Sequence, residues 1–215
     1  MQEKLIIKNF GGIIEAEIEI NEFNVFIGPQ VSGKSVVAKL LYYFKNFAFH
    51  FSKGLIQSNT DKDKIHNRLI EEFKKYFPQH SYPKTNFLIK YLTQEKFISI
   101  SLNNSKLEID YSNSYFTALL EANNIIYRKK QLDSHFQPTE IYAFHFFMKF
   151  LDHASYEKND QIFIPAGRSF FANIKNEIFT LITGKINIDP FLLEFGRDYV
   201  RITNYLNQIK FEDLK

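Results

Sequence analysis

The sequence predicts an α/β domain: a mixed sheet with N-terminal antiparallel strands, joined to a largely helical region. Three observations predict it. Over residues 14–20, Ile14, Ala16, Ile18 and Ile20 alternate with Glu15, Glu17 and Glu19, the period of a half-exposed strand. The apolar run Phe23-Asn24-Val25-Phe26-Ile27 reads as a buried strand that ends at Gly28. Directly after the glycine-containing turn, Val37, Leu40, Leu41, Phe44 and Ala48 recur at helical spacing.

The elements follow in order. Leu5 to Lys8 is a first strand, paired through a Gly11-Gly12 turn with Ile14 to Ile20. Asn21-Glu22 breaks the pattern before the Phe23–Ile27 strand and the helix beyond it. Ile65, Leu69, Phe73 and Phe77 mark an amphipathic helix, with Asp61 and Asp63 suited to its start and Pro78 to its stop. The period then changes to two: Phe97 to Leu102, a turn at Asn103-Asn104, and Lys106 to Tyr111 form a hairpin. Phe116, Leu119, Leu120 and Tyr127 define one helix, and Ile141, Phe144, Met148 and Leu151 another that begins at Thr139. Gln161 to Ile164 is a short strand closed by Pro165-Ala166-Gly167. Phe171, Ile174, Ile178 and Ile182 continue as a helix, and Asp189-Pro190 opens a last one carrying Phe191, Phe195, Tyr199, Ile202 and Leu206. The chain is expected to be one domain over 1–215, with strands, loop and first helix in 1–50, a helical and hairpin lobe in 51–160, and a strand with helices in 161–215.

Composition narrows the function classes. Hydrophobic residues make up 45% of the 215 and charged residues 24%, which excludes disordered and fibrous classes. The net charge of +3 permits contact with nucleic acid without arguing for it, since phosphate neutralisation needs a concentrated basic face. With no cysteine there is no disulfide and no thiol chemistry, and a cytoplasmic location is expected. The most apolar stretches, 40–51 and 141–151, are interrupted by Lys45, His50, His145 and Lys149, so no membrane span is expected. The 24 Phe and 12 Tyr are expected to fill the core rather than form a stacking surface. The six histidines show no metal-ligand spacing and Arg128-Lys129-Lys130 reads as a solvated helix end.

One motif carries chemistry. Gly28, Pro29, Gln30, Val31, Ser32, Gly33, Lys34 and Ser35 fit G-x-x-x-x-G-K-[ST], the loop that holds a polyphosphate. Such a loop turns consecutive backbone N–H groups inward, and Gly28 and Gly33 permit the tight path and the close approach. The helix leaving from Lys34 adds unpaired N–H groups and the positive end of its dipole. Lys34 is expected to bridge the β- and γ-phosphates of ATP, and Ser35 to give its hydroxyl oxygen to Mg²⁺.

Two stretches carry a family resemblance. Leu5-Ile6-Ile7-Lys8-Asn9-Phe10, followed at Gly28 by the loop, resembles the N-terminus of ABC-like ATPase heads of the chromosome-maintenance, RecF and OLD families, which begin "LxIxNF" and reach "FxGxNGSGKS". Phe163-Ile164-Pro165-Ala166-Gly167-Arg168-Ser169 is similar to the "IPAxRS" stretch of OLD-like and phage-defence ATPases. Gln30 and Val31 stand where those families often carry Asn and Gly, so Val31 is not expected at positive φ. The families' Ser-Gly-Gly signature, apolar strand ending in Asp-Glu and switch histidine are not found. The resemblance therefore implies an N-terminal half: an ATP-binding part whose hydrolysis depends on a C-terminal half or a partner, with two heads associating as a homodimer or with a partner ATPase half. Arg168 would sit in a polar loop near the γ-phosphate as a sensor. The setting it implies is DNA processing or anti-phage defence. Two other classes fit the same loop: a small nucleotide or metabolite kinase, for which only Arg68, Arg128, Arg168, Arg197 and Arg201 could clamp a second substrate, and a non-catalytic ATP-dependent interaction module.

Overall fold

A computed structural model describes residues 3–53, 61–82, 84–93, 96–151, 161–166 and 189–208. The chain divides into two compact units, Met1–Asn159 and Asp160–Lys215. In the first, five strands form one sheet: β1 (Glu3–Phe10), β2 (Ile13–Ile20), β3 (Phe87–Thr93), β4 (Lys96–Asn103) and β5 (Lys106–Tyr111). Their spatial order is β2-β1-β3-β4-β5. Every pairing is antiparallel, so the described sheet is not the mixed one expected. Strand β3 has no counterpart among the expected elements: Phe87-Leu88-Ile89-Lys90-Tyr91 alternates, but it is short and lies just after a proline-containing stretch.

Register turns the alternation into a core. One row across the sheet reads Ala16, Ile7, Ile89, Ile100, Ile109, and the next reads Ile18, Leu5, Tyr91, Ile98, Tyr111. Leu5, Ile7, Ile89, Ile98 and Ile100 of these rows are essentially without solvent contact. The opposite face of β2 carries glutamates, held by Lys4 Nζ to Glu17 Oε1 at 2.5 Å and Lys8 Nζ to Glu15 Oε1 at 2.9 Å. A one-residue slip would exchange these faces, so the register is strongly specified. The β1–β2 and β4–β5 hairpins each close with two residues at positive φ: Gly11 (58°) and Gly12 (83°), then Asn104 (49°) and Ser105 (65°), one residue later than the turn expected at Asn103-Asn104. That pair of angles matches the twist of the flanking strands.

The helices of this unit are α1 (Lys34–Lys45), α2 (Phe47–Ser52), α3 (Lys62–Tyr76), α4 (Asn113–Leu132) and α5 (Glu140–Leu151), with a 3₁₀ turn at Gln79–Ser81. The single helix expected through Ala48 breaks at Asn46 into α1 and α2; the Asn46 side chain donates to Tyr42 O at 2.9 Å. Asp61 caps α3 as expected, its carboxylate accepting from Asp63 N at 3.0 Å. Phe44 of α1 stacks on Tyr91 of β3 with centroids 5.5 Å apart, and Phe10 meets Phe73, Phe77 and Phe87 at 5.0 to 6.2 Å. The aromatic content is thus largely core, as its abundance suggested. On α4 the buried residues are Tyr115, Ala118, Leu119, Ala122 and Ile126, while Leu120 and Tyr127 are exposed. On α5 the packed face runs Ala143, Phe147, Leu151 and leaves Ile141 outside. In both cases the expected stripe was rotated, because large side chains were chosen over the alanines that let helices approach.

Two expected strands are corrected. Phe23–Ile27 forms no strand and pairs with no described strand, and Phe23, Val25 and Ile27 are 83%, 63% and 92% exposed. Its path is set by Asn24, which accepts from Asn21 N at 2.8 Å and donates to Glu19 O at 2.9 Å, tying the stretch to the end of β2. Residues 161–164 likewise form no strand, and Ile162 and Ile164 are exposed. In the second unit α6 (Pro190–Gln208) starts where expected, with Asp189 Oδ1 accepting from Phe191 N at 2.9 Å and the Phe191 ring 5.1 Å from Phe163. Its Tyr199, Ile202 and Leu206 are exposed rather than core. Arg168, Ser169 and the helix expected through Phe171 and Ile182 lie outside the described residues.

A buried polar knot joins α2 to α3. His50, stacked on Tyr43 at 5.4 Å, places Nδ1 at 3.3 Å from Glu72 Oε1, and Lys53 and Lys75 reach the same carboxylate at 3.1 and 2.9 Å. Arg68 donates to the carbonyls of His50 and Phe51, both at 2.8 Å, at the C-terminal end of α2, where a cation is favoured. His50, with Lys75 and Lys53, holds the Glu72 carboxyl well below the usual carboxylate range, against the opposing effect of its burial. A carboxylate so depressed contributes stability that is fully present above its ordinary value of 4.5 and is lost as the pH falls below it. Glu72→Gln is expected to lower the melting temperature at neutral pH by about 3–6 °C, and to lose less stability than the parent between about pH 5 and 3. Thermal melts followed by circular dichroism across that range check it; parallel acid losses in the two proteins would contradict it.

Candidate phosphate-binding site

The loop between Ile27 and α1 is built from backbone conformation more than from side chains. Gly33 is the N-cap of α1 at φ 84°, ψ 0°, and its carbonyl accepts the first helical bond from Val37 N at 3.0 Å. The N–H groups of Lys34, Ser35 and Val36 precede that bond and head the helix without an intrahelical acceptor. No acidic side chain lies in the first turn of α1 to compete for them. A glycine at this cap costs nothing in the left-handed region, where a side chain would be strained.

Val31 overturns an expectation. It was expected to avoid positive φ and instead takes φ 66°. The chain has to reverse between Pro29 and Gly33 within four residues if its amides are to face one point, and that need outweighs the preference of a β-branched residue. The strain is of order 1–2 kcal/mol. The side chain is 92% exposed, so it meets no steric obstacle beyond its own backbone.

Lys34 closes the loop over itself. Its Nζ donates to Gly28 O at 2.8 Å, to Ser32 Oγ at 2.9 Å and to Pro29 O. A Cβ on Gly28 would lie 3.2 Å from Ser32 Oγ, so the two ends of the loop are in contact. An ammonium group, a row of helix-end amides and the Ser35 hydroxyl are thus gathered on one short turn. That donor set suits a polyphosphate: it offers hydrogen-bond donors and positive charge, with no carboxylate among its members. Among the described residues no group of three His, Cys, Asp or Glu could hold a metal ion.

Sequence reasoning missed what holds the loop in place. A Cβ on Gly33 would fall 2.5 Å from Ile13 Cγ1, and one on Gly11 would fall 2.7 Å from Val36 Cγ1. The β1–β2 turn therefore lies directly against the end of the loop and the first turn of α1, with glycine needed on both sides of the contact. The signal was present as two glycine-containing turns some twenty residues apart, but nothing in either turn names the other.

Residues 1–66 match the family model described as the AAA ATPase domain. No curated protein and no solved structure matches the chain. The matched stretch holds the β1–β2 hairpin, the loop, α1 and α2, so over these residues the chain is similar to an AAA ATPase domain. No described helix is long and apolar enough to cross a membrane.

Two substitutions separate strain from packing. Val31→Gly is expected to raise stability by about 1 kcal/mol, because relief of the left-handed strain exceeds the glycine's added freedom in the unfolded chain. Gly33→Ala is expected to cost about 2–4 kcal/mol, since it meets both the positive φ and the Ile13 side chain. Adding Ile13→Ala should return only the packing part of that loss. Urea unfolding of the three proteins measures it, and full recovery in the double variant would show that φ is not the constraint.

Proposed function

We propose that this chain is the ATP-binding part of an ABC-like ATPase of the OLD/RecF kind, working in the cytoplasm in DNA processing or phage defence, with hydrolysis completed by a second copy or a partner ATPase half. One observation supports it above the others: residues 28–33 lead into the N-terminus of α1 with Gly33 as its N-cap, and Lys34 Nζ donates back to Gly28 O and Ser32 Oγ, which gathers an ammonium group and the helix-end amides on one turn. Lys34 is the group we assign to the β- and γ-phosphates, Ser35 to Mg²⁺, and the amides of the loop and helix end to the phosphate oxygens. Bound Mg²⁺ would supply neutralisation of the charge on those oxygens.

Binding and turnover have different requirements. Binding needs donors, which the loop has. Turnover needs a group that orients the attacking water and further acid near the cation. Phe23, Val25 and Ile27, three exposed apolar side chains at alternate positions of the stretch that leads into the loop, support completion by another polypeptide, because apolar side chains grouped on the surface mark interaction sites. The "IPAxRS"-like stretch and Arg168 keep their proposed sensor role by resemblance alone.

Lys34→Ala should abolish Mg-ATP binding, a loss of at least about a hundredfold, while the melting transition in the absence of nucleotide stays where it was. Titration calorimetry on both proteins tests this, and equal affinities would dismiss the proposed function.

A further inference from the structure

Where α3 gives way to Pro78, the first unit holds a cavity of about 490 Å³ between the end of that helix and the β4–β5 turn. Leu102 and Leu107, partners across the β4–β5 ladder, form its apolar floor; Tyr82 is a wall, and Lys74, Lys84 and Ser105 stand at the rim. A volume of this size is within the range of small-molecule sites. We propose that the cavity binds a small amphipathic anion, its apolar ring or chain lying on Leu102 and Leu107 and its carboxylate, sulfonate or phosphate head meeting Lys74 and Lys84. None of the lining residues belongs to the loop at 28–35, so the inference stands apart from the function proposed above.

Charge is the first reason. Two lysines line the cavity and, among the described residues, no carboxylate does. Lys84 is exposed, and no hydrogen bond or ion pair among the described residues engages its ammonium group. Lys74 is paired with Glu71 at 2.7 Å, which takes up one of its three N–H donors and leaves the others for a second acceptor. The Lys74 charge also reaches the phenol of Tyr82: burial raises that hydroxyl above its ordinary value, and the ammonium group opposes the rise. A phenol kept protonated is one more donor.

The floor decides between a bare anion and an amphipathic one. Leu102 is buried and Leu107 half-buried, so the cavity opens onto the edge of the core. An inorganic ion would meet only solvated lysines, whose exposed charge pairing contributes little. A ligand with an apolar body also removes the two leucines and the Tyr82 ring from water, and that burial contributes more.

The walls are set before any ligand arrives. Tyr82 stacks on Phe10 at 5.7 Å and stands edge-on to Phe87 at 5.1 Å. Ser81 donates to Pro78 O through its N at 2.8 Å and its Oγ at 2.7 Å, which fixes the 3₁₀ turn leading from α3 to Tyr82. Asn104 N donates to Asn86 Oδ1 at 3.2 Å, tying the β4–β5 turn to the segment that carries Lys84. Little ordering is left to oppose binding.

The probe is anilinonaphthalene sulfonate, an aromatic anion whose fluorescence rises on leaving water, with phenylnaphthylamine as its uncharged counterpart. Each is titrated into the full chain as parent, Lys84→Glu, Lys74→Gln and Lys34→Ala. The sulfonate is expected to bind the parent, to lose about tenfold in affinity in Lys84→Glu and about threefold in Lys74→Gln, and to keep its affinity in Lys34→Ala. The uncharged probe is expected to bind all four proteins alike, and inorganic phosphate in excess to leave the bound sulfonate in place. Equal sulfonate affinity in the parent and both cavity variants, or a loss confined to Lys34→Ala, would overturn the site. Displacement by phosphate would overturn the role of the apolar floor. Lys74 and Lys84 are both exposed and are changed separately, so a variant that fails to fold leaves the other to decide.

Discussion

The packing of one glycine-containing turn against another governs the site. Gly11 leaves room for Val36, and Gly33 leaves room for Ile13, so the β1–β2 hairpin and the head of α1 approach to a distance that any side chain would forbid. A flexible loop could adopt an anion-binding conformation transiently; a loop pinned at its C-terminal end by the sheet holds it in advance. That difference matters because ordering a loop at the moment of binding costs about 1–2 kcal/mol per residue.

The sheet and its aromatic layer supply the rigidity behind this contact. Rows of branched residues cross all five strands, Phe44 and Tyr91 fasten α1 to the sheet, and the knot around Glu72 fastens α2 to α3. Where the loop meets the rest of the chain from its N-terminal side the support is of another kind. Phe23, Val25 and Ile27 stand in solvent, and the stretch is anchored through the Asn24 side chain instead of a strand ladder. The same turn is thus held on one side by packing and left open on the other.

Much of this was legible in the sequence, for physical reasons that also explain the misses. Period-two alternation found β2, β4 and β5 because each has one wet face, and Asp61 and Asp189 announced helix starts through their capping chemistry. The Gly28–Ser35 motif was legible as a turn before a helix, because glycine at Gly33 suits the left-handed N-cap that α1 requires. Phe23–Ile27 misled because an apolar run says that a segment wants burial and not what buries it. Val31 misled because residue preference was weighed without the closure that the loop imposes. The stripes on α4 and α5 were rotated because alanine, the residue of close helix contact, carries little weight in a hydrophobic pattern. The cavity lined by Lys74 and Lys84 was invisible because the approach of α3 to the β4–β5 turn is a tertiary fact.

The central claim is that the amides from Pro29's successor through Ser35 converge on a polyphosphate. Amide chemical shifts report it most directly. Titration of isotopically labelled protein with Mg-ATP should move the backbone N–H resonances of Gly33, Lys34 and Ser35 further than those of β4 and β5, and tripolyphosphate should reproduce the movement. Binding that leaves those three resonances in place while others shift would contradict the account.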